Sequence, residues 1–208
     1  MAMQVVFCGT HFPAGFEYTK QFLGEITSEI EVIQSNNETF FELIKTAHVL
    51  IPFMTPITES IISAANNLRL VIQFGVGLEG VDIPAATRKG VLVGKIPSAN
   101  TGNAQSCAEH AIFLALALLR DFHGLQQSIQ QQRLGYPMGR TLFASRVAVV
   151  GYGGIGRALV PRLLAFQANV TVVRRAVSED DISTESLRFV TLVDFLATPQ
   201  DCEVVFLA

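Results

Sequence analysis

Three glycines between residues 145 and 175 have the spacing G-x-G-x-x-G. They are Gly151, Gly153 and Gly156, within the hexapeptide "GYGGIG". The apolar run "RVAVV" precedes them and "RALVPRLLAF" follows, so the pattern predicts a strand, a tight turn and a helix. In such a turn the first glycine permits the bend, the second lets the backbone approach a pyrophosphate, and the third lets the helix pack on the strand. We interpret the segment as a dinucleotide-binding loop.

The other residues of this loop belong to the same predicted site. Tyr152 lies between the first two glycines, and Gly154 and Ile155 open the predicted helix. The backbone N–H groups of Gly154 and Ile155 are expected to face the phosphates, helped by the dipole of the helix. The alternative is an ordinary glycine-rich turn without a ligand, and the complete strand–turn–helix context favours the dinucleotide site.

Two arginines stand where an acidic residue usually ends the second strand of such a site. Arg174 lies 23 residues after Gly151, and Arg175 follows it. A carboxylate at this point binds the ribose hydroxyls of NAD, whereas a guanidinium can bind the 2′-phosphate of NADP. The arginines therefore predict a preference for NADP(H), with NAD(H) as the second choice. The alternative is that both are a solvated strand end with no role in binding.

Strand-like and helix-like patterns alternate along the chain. Before residue 100 they are, in order, "QVVFCG", "FEYTKQFLGEI", "IEVIQ", "NETFFELIKTA", "HVLIPF", "TESIISAA", "LRLVIQF", "IPAATRKG" and "VLVGK". After it they are a helix from Ala104 to Arg120, a polar surface segment at 123–142, a strand at 146–150, a helix at 155–166, a strand at 169–173, the helix "LVDFLAT" and the strand "EVVFLA". Strands separated by helices predict an α/β fold with parallel sheets. The segment "KIPSANTGNAQ" marks a boundary between two domains, 1–100 and 101–208.

The composition indicates a cytoplasmic protein without a nucleic-acid or membrane partner. The net charge is −3, from 15 basic and 18 acidic residues, which gives no reason to expect a polyanionic partner. The longest apolar run, residues 111–119, is half the length of a membrane span, and no signal peptide is expected. The three cysteines are far apart and lack metal or redox spacing, so we expect reduced thiols and no metal site.

The segment "QFGVGLEGVDIPAATRKGVLVGKIPSANTGNAQSCAEHAIFLALALLR" carries a further set of motifs. In order these are G-V-G followed by V-D, A-A-x-x-x-G, P-S-A-N, and A-E-H at the start of a long apolar helix. Together with the later "GYGGIG", they resemble the D-isomer-specific 2-hydroxyacid dehydrogenases. The resemblance covers essentially the whole chain and is looser before residue 60.

The resemblance implies a flavodoxin-like, substrate-binding domain at 1–100 and a Rossmann domain at 101–208. It implies that the amides of Gly75, Val76 and Gly77 bind the carboxylate of the substrate, although a tight strand-to-helix turn would also explain these glycines. It places Phe53 and Met54 near the substrate pocket, with core packing as the alternative. It also implies a homodimer formed through the helix at 104–120.

The resemblance further implies an NAD(P)-dependent oxidoreductase that interconverts a small 2-oxo acid and a D-2-hydroxy acid. The family's catalytic arginine, acid and histidine lie beyond the point where this sequence ends, so we assign no catalytic residue. We expect a truncated chain that lacks the return to its first domain, an incomplete Rossmann sheet, and no activity as it stands. His11, His48, His110 and His123 are not expected to substitute. The alternative function is a non-catalytic dinucleotide-binding protein that regulates or dimerises.

Overall fold

The computed structural model describes residues 2–97, 100–197 and 202–208. The chain divides into two compact units, Met1–Pro97 and Ser98–Ala208. Each unit is built on one parallel sheet, so the chain is an α/β protein, as the alternating pattern predicted.

The described part of the first unit contains a five-stranded sheet in the order β2-β1-β3-β4-β5. Its strands are β1 (Met3–Cys8), β2 (Ile30–Gln34), β3 (Val49–Pro52), β4 (Leu70–Gln73) and β5 (Leu92–Lys95). Its helices are α1 (Pro13–Ile26), α2 (Phe40–Thr46), α3 (Glu59–Ala64) and α4 (Ile83–Lys89). The order 2-1-3-4-5 is that of the flavodoxin-like fold, which confirms this part of the predicted fold class.

Both faces of this sheet are covered by helices. Neighbouring side chains of β1 point to opposite sides of the sheet, and each side packs in a different cluster. Val6 packs with Ile44 of α2 and Ile62 of α3 in one fully buried cluster. On the other face Phe7 packs with Phe16 of α1. Burial on both faces explains why the inner strands β1 and β3 contain continuous apolar runs and do not alternate with polar residues.

The described part of the second unit contains a four-stranded parallel sheet in the order β8-β7-β6-β9. Its strands are β6 (Arg146–Val150), β7 (Asn169–Arg174), β8 (Leu187–Thr191) and β9 (Val204–Leu207). Its helices are α5 (Asn103–Leu119), α6 (Phe122–Gln130), α7 (Gly154–Ala165) and α8 (Leu192–Ala197). This is the arrangement 3-2-1-4 of the first strands in a Rossmann sheet, so the second half of the predicted fold class is also confirmed.

The core of the second unit lies between its sheet and the helices α5 and α7. Ala108 and Ile112 of α5 are buried with Leu159 and Leu163 of α7, beneath Val149 of the sheet. Small side chains such as alanine allow two helices to approach each other closely. An ion pair at the rim of this contact joins Glu109 to Arg162, with 3.3 Å between Oε1 and Nη2.

Two elements of this unit differ from the sequence-based expectations. The segment 123–142 was expected to wrap the surface as a polar connection, but its first part belongs to α6. The cause is a helix cap, since Oδ1 of Asp121 accepts a hydrogen bond of 3.1 Å from the backbone N–H of Gly124. The strand β8 was not predicted at all. The predicted helix at 104–120 is confirmed as α5, displaced by one residue.

Across the described segments of the chain, none of the helices has the length and apolar character that a membrane span requires.

Candidate functional site

The glycine-rich loop lies where β6 ends and α7 begins. Gly151 has a φ of +106°, a conformation that side chains of other residues rarely adopt. Its backbone N–H donates to the carbonyl oxygen of Val173 on the neighbouring strand, at 2.8 Å. A Cβ atom at position 151 would also collide with the carbonyl oxygen of Ala208, so the bend requires glycine.

Gly156 and Gly153 are glycines for different reasons. A Cβ atom on Gly156 would collide with the carbonyl oxygen of Gly151, so the absence of a side chain lets α7 pack on the turn. A Cβ atom on Gly153 would meet no described atom within 4 Å. Internal packing therefore does not require a glycine at position 153. The open space at this point fits a group that approaches from outside, as the pyrophosphate of a dinucleotide does.

The first turn of α7 leaves its backbone N–H groups available to such a group. The N–H of Arg157 is bonded to the carbonyl oxygen of Gly153 at 3.0 Å, which is the first hydrogen bond of this helix. The N–H groups of Gly154 and Ile155 have no acceptor among the described residues. Unpaired N–H groups and the positive end of the helix dipole together favour an anion. The loop residues therefore fit a dinucleotide.

Arg174 is the last residue of β7, and its guanidinium is already engaged. Its Nη1 lies 2.6 Å from both carboxylate oxygens of Asp181, in an ion pair whose side chains are 27% and 6% exposed. Arg175 is exposed and forms no ion pair with the described residues. The two predicted arginines thus differ, because one is held by a carboxylate and the other is open to solvent.

Asp181 was not predicted from the sequence, because no motif connects it to the glycine loop. Its carboxylate accepts hydrogen bonds from the backbone N–H of Ser178 at 2.8 Å and from the Ser178 hydroxyl at 3.1 Å. The backbone hydrogen bond from Ser178, together with the contacts from Arg174 and the Ser178 hydroxyl, lowers the pKa of Asp181 against an opposing effect of burial. The carboxylate is therefore charged at neutral pH.

The ring of Tyr152 connects the glycine loop to a third arginine. Tyr152 packs edge-to-face on Phe189 of β8, with 5.3 Å between ring centroids. The guanidinium carbon of Arg157 lies 4.6 Å from the centroid of the Tyr152 ring, and that of Arg174 lies 6.0 Å from it. Sequence reasoning missed Arg157, although it follows the last glycine of the motif directly.

A pocket of about 480 Å³ extends from the glycine turn to the two strand-end arginines. Its lining combines these polar groups with apolar side chains, namely Val150, Gly151, Val173, Arg174, Arg175, Leu192, Val193 and Ala208. A pocket of this size, mainly apolar and with a few charged groups, is typical of small-molecule sites. It lies at the carboxyl ends of β6 and β7, where parallel α/β sheets bind their ligands.

In the first unit, Gly75, Val76 and Gly77 follow β4. Their three backbone N–H groups have no hydrogen-bond acceptor among the described residues, and the Val76 side chain is 41% exposed. A Cβ atom at position 75 would make only ordinary contact with the side chain of Gln73. Neither glycine has a positive φ. The turn itself therefore does not require both glycines, and consecutive free N–H groups can form an anion-binding concavity.

Phe53 and Met54 lie on the loop after β3 and do not belong to the core. Their side chains are 40% and 68% exposed. Phe53 stacks on Phe12, with 5.7 Å between centroids, and Phe12 contacts Phe74 at 5.4 Å. Phe74 of this aromatic group directly precedes Gly75 in the chain, so the group can line a ligand site that includes the three free N–H groups.

Three histidines make ordinary structural contacts. Nδ1 of His48 accepts a hydrogen bond from the backbone N–H of Gln4 at 3.1 Å. His110 contacts the ring of Phe113, and His123 contacts Gln127. Within residues 2–97, 100–197 and 202–208, neither a histidine–carboxylate ion pair nor a group of three potential metal ligands occurs.

A parallel sheet of order 3-2-1-4 with a G-x-G-x-x-G turn after its first strand defines the Rossmann class. The family model "D-isomer specific 2-hydroxyacid dehydrogenase, catalytic domain" matches residues 7–198. The chain therefore belongs to the D-isomer-specific 2-hydroxyacid dehydrogenases, which are oxidoreductases that use NAD(H) or NADP(H). This confirms the family that the motifs resembled.

A curated relative is similar over most of the chain. It is D-3-phosphoglycerate dehydrogenase of Mycobacterium bovis, 35% identical over 152 residues, which are 72% of this chain and 28% of the relative. The chain thus spans less than a third of the length of this relative.

Two solved structures share the fold. One is D-lactate dehydrogenase from Aquifex aeolicus in complex with NAD and lactic acid, with a TM-score of 0.77 and 21% identity over 98% of this chain and 60% of that one. The other is an acyclic imino acid reductase in complex with NADPH and D-Arg, with a TM-score of 0.74 and 17% identity over 99% and 65%.

Proposed function

We propose that this chain forms the substrate-binding and cofactor-binding parts of an NAD(P)-dependent oxidoreductase that interconverts a 2-oxo acid and a D-2-hydroxy acid. The observation that carries the proposal is the open space at Gly153 beside the unpaired N–H groups of Gly154 and Ile155, in a member of this family. The segment 101–208 is the dinucleotide-binding domain, and 1–100 is the substrate-binding domain.

Each proposed domain has a separate binding task. In the second, Gly153 admits the pyrophosphate, and the N–H groups that open α7 bind its oxygens. In the first, the N–H groups of residues 75–77 bind the carboxylate that every 2-oxo acid carries. The nicotinamide, when bound, exchanges a hydride with the substrate. The groups that move the proton stay unassigned within this chain.

For the cofactor we propose a preference for NADP(H), with NAD(H) as the alternative. Arg175 supplies an exposed cation at the end of β7, and Arg157 supplies another beside Tyr152. A guanidinium binds a phosphate by charge-assisted hydrogen bonds, which an unphosphorylated ribose cannot form. Because one structural neighbour is a complex with NAD and another with NADPH, the choice depends on residues of this chain.

The chain is expected to bind NADPH about 10-fold more tightly than NADH, the lower end of what a hydrogen bond to a charged group contributes. Titration calorimetry with both cofactors measures this ratio. Arg175→Ala is expected to remove most of the preference, because Arg174 is held by Asp181. Arg140→Ala, at an exposed arginine outside the pocket, is the matched control. Equal affinities that Arg175→Ala leaves unchanged would contradict the preference.

A homodimer formed through α5 is also part of the proposal. Phe113, Leu114 and Leu118 of this helix are 55%, 47% and 83% exposed, which is unusual for apolar side chains on one helix. A second copy of the chain would remove this surface from water. The proposed compartment is the cytoplasm, since the three cysteines are far apart in the sequence and lack metal or redox spacing, as is typical of reduced thiols there.

Leu118→Asp is expected to convert the dimer into monomers, because a carboxylate in a closely packed apolar contact loses its hydration. Sedimentation velocity measures the mass of the particle. Since Leu118 is 83% exposed within one chain, the substitution leaves the fold of the chain intact. Gln105→Asp, at an exposed position in the first turn of the same helix, should remain dimeric. A wild-type chain that sediments as a monomer would refute the dimer.

A non-catalytic dinucleotide-binding protein is the second candidate function. It is favoured by the structural contacts of His48, His110 and His123, which leave none of them paired with an acid among the described residues. Assays of NADPH oxidation with glyoxylate, hydroxypyruvate and pyruvate separate the two candidates. Turnover supports the oxidoreductase. Because no catalytic residue is assigned within this chain, cofactor binding without turnover supports the second function only when the assayed protein includes any residues encoded beyond Ala208.

A further inference from the structure

We propose that Asp181 is a specificity-determining residue, which competes with the 2′-phosphate of NADPH for the guanidinium of Arg174. This inference rests on the proposed function, because it concerns the cofactor that the second unit binds. It assigns a role to a residue that neither the glycine motif nor the family resemblance singled out. The wild-type preference for NADPH is then the net result of attraction by the arginines and repulsion by one carboxylate.

The ion pair already occupies one of the two terminal nitrogens of the Arg174 guanidinium. Nη1 of Arg174 lies 2.6 Å from both Oδ1 and Oδ2 of Asp181, so both carboxylate oxygens face this one nitrogen. A phosphate monoester carries a charge of about −1.5 to −2 at pH 7. A 2′-phosphate that approaches Arg174 therefore meets the negative charge of Asp181 in addition to the guanidinium. The ribose of NADH carries no charge and meets no such repulsion.

The carboxylate is fixed in this position by its own turn. It accepts hydrogen bonds from the backbone N–H and the hydroxyl of Ser178, at 2.8 and 3.1 Å. The backbone N–H of Asp181 in turn donates to the carbonyl oxygen of Ser178 at 3.0 Å. The Asp181 side chain is only 6% exposed. To leave Arg174, the carboxylate would have to break the two bonds that it accepts from Ser178.

The location of the pair distinguishes it from an ordinary ion pair at the surface. Arg174 lines the pocket that also contains Gly151 and Arg175, and its guanidinium carbon lies 6.0 Å from the ring of Tyr152 in the glycine loop. Exposed ion pairs of proteins contribute little to stability. A pair at the end of β7, beside the loop that approaches the pyrophosphate, has a larger effect on the ligand than on the fold.

The test is titration calorimetry of the 208-residue chain and its Asp181→Asn variant with NADPH and with NADH. Asparagine has the same shape and keeps an oxygen that can accept from Ser178, but it has no charge. Removal of like-charge repulsion is expected to strengthen NADPH binding by about 10-fold and to leave NADH binding within about 3-fold. The matched control is Asp180→Asn at the adjacent acid, which is exposed and has no side-chain hydrogen bond among the described residues.

A second pair of variants tests whether the effect acts through Arg174. In an Arg174→Ala background, Asp181→Asn is expected to strengthen NADPH binding less than it does in the wild-type background, because no guanidinium remains for which the carboxylate and the phosphate compete. An undiminished gain would show that Asp181 acts by direct repulsion alone and would overturn the competition for Arg174. A merely structural role for Asp181 would instead change the affinities for both cofactors together. Thermal melts of all variants are compared with that of the wild type to check that each variant is folded.

The outcomes separate the two levels of the proposal. If both cofactors bind and Asp181→Asn leaves the NADPH affinity unchanged, or if Asp180→Asn gives the same gain, the role of Asp181 is overturned and the proposed function stands. If neither cofactor binds the wild-type chain or any folded variant, the proposed function fails, and the role of Asp181 fails with it.

Discussion

A chain with Gly153→Val is expected to lose affinity for both NADPH and NADH by about 100-fold or more, which corresponds to about 2.7 kcal/mol or more. The valine side chain would occupy the open space that is proposed to admit the pyrophosphate, and both cofactors share that group. The fold should be unaffected. Residue 153 has an extended backbone with φ −79° and ψ −155°, and no described atom lies within 4 Å of the added Cβ.

Calorimetric titration of both cofactors, combined with a thermal melt, separates binding from stability at this position. The matched control is Gly24→Val in α1, where an added Cβ also meets no described atom within 4 Å. This variant should bind both cofactors as the wild type does. If Gly153→Val kept its affinity for NADPH and NADH, the pyrophosphate would have to bind elsewhere, and the assignment of the loop would be wrong.

Gly156→Val is expected to lower the free energy of unfolding by about 3 kcal/mol, the upper part of the usual range for over-packed cores. A Cβ atom at this position would collide with the carbonyl oxygen of Gly151 and lie 3.6 Å from Cγ1 of Val149. The first of these is a backbone atom of the sharp turn, so it cannot rotate away as a side chain would. Helix α7 would therefore have to move off the sheet.

Chemical denaturation monitored by circular dichroism measures this loss, and Gly153→Val is its control, three residues away in the same loop. The two valines should affect different quantities. Gly153→Val should lower cofactor affinity and leave the free energy of unfolding unchanged, whereas Gly156→Val should lower the free energy of unfolding through the packing of α7 against β6. An unchanged denaturation midpoint for Gly156→Val would mean that the helix can shift at little cost, and that the third glycine does not fix its position.

The fold could be predicted because each sheet is covered on both faces. Buried strands such as β1 and β6 are then continuous apolar runs, and the helices between them enforce parallel pairing. The strand β8 was missed because only Leu187 and Phe189 of its five residues pack against the core, and none is fully buried. Such an edge strand has no strong apolar pattern for sequence reasoning to detect.

The site was predictable only where one segment of the chain forms it. The roles of Gly151 and Gly156 follow from a strand, a turn and a helix in succession, and the collisions at both positions agree with them. The pairing of Arg174 with Asp181 depends instead on how the chain folds back after β7, and no residue spacing encodes that contact. The binding roles of the loop residues, of the strand-end arginines and of residues 75–77 remain predictions until cofactor and substrate binding are measured.

The turn that holds Asp181 also has a consequence for protein engineering. Residues 175–181 leave β7 and are exposed except for the Asp181 carboxylate, while the glycine loop is bound into the core through Gly156. Selection for a new cofactor can therefore act on this short surface segment without disturbing the sheet or the loop that is proposed to bind the pyrophosphate. Most members of a library randomised only at these seven positions should fold, and they should differ mainly in the ratio of their affinities for NADPH and NADH.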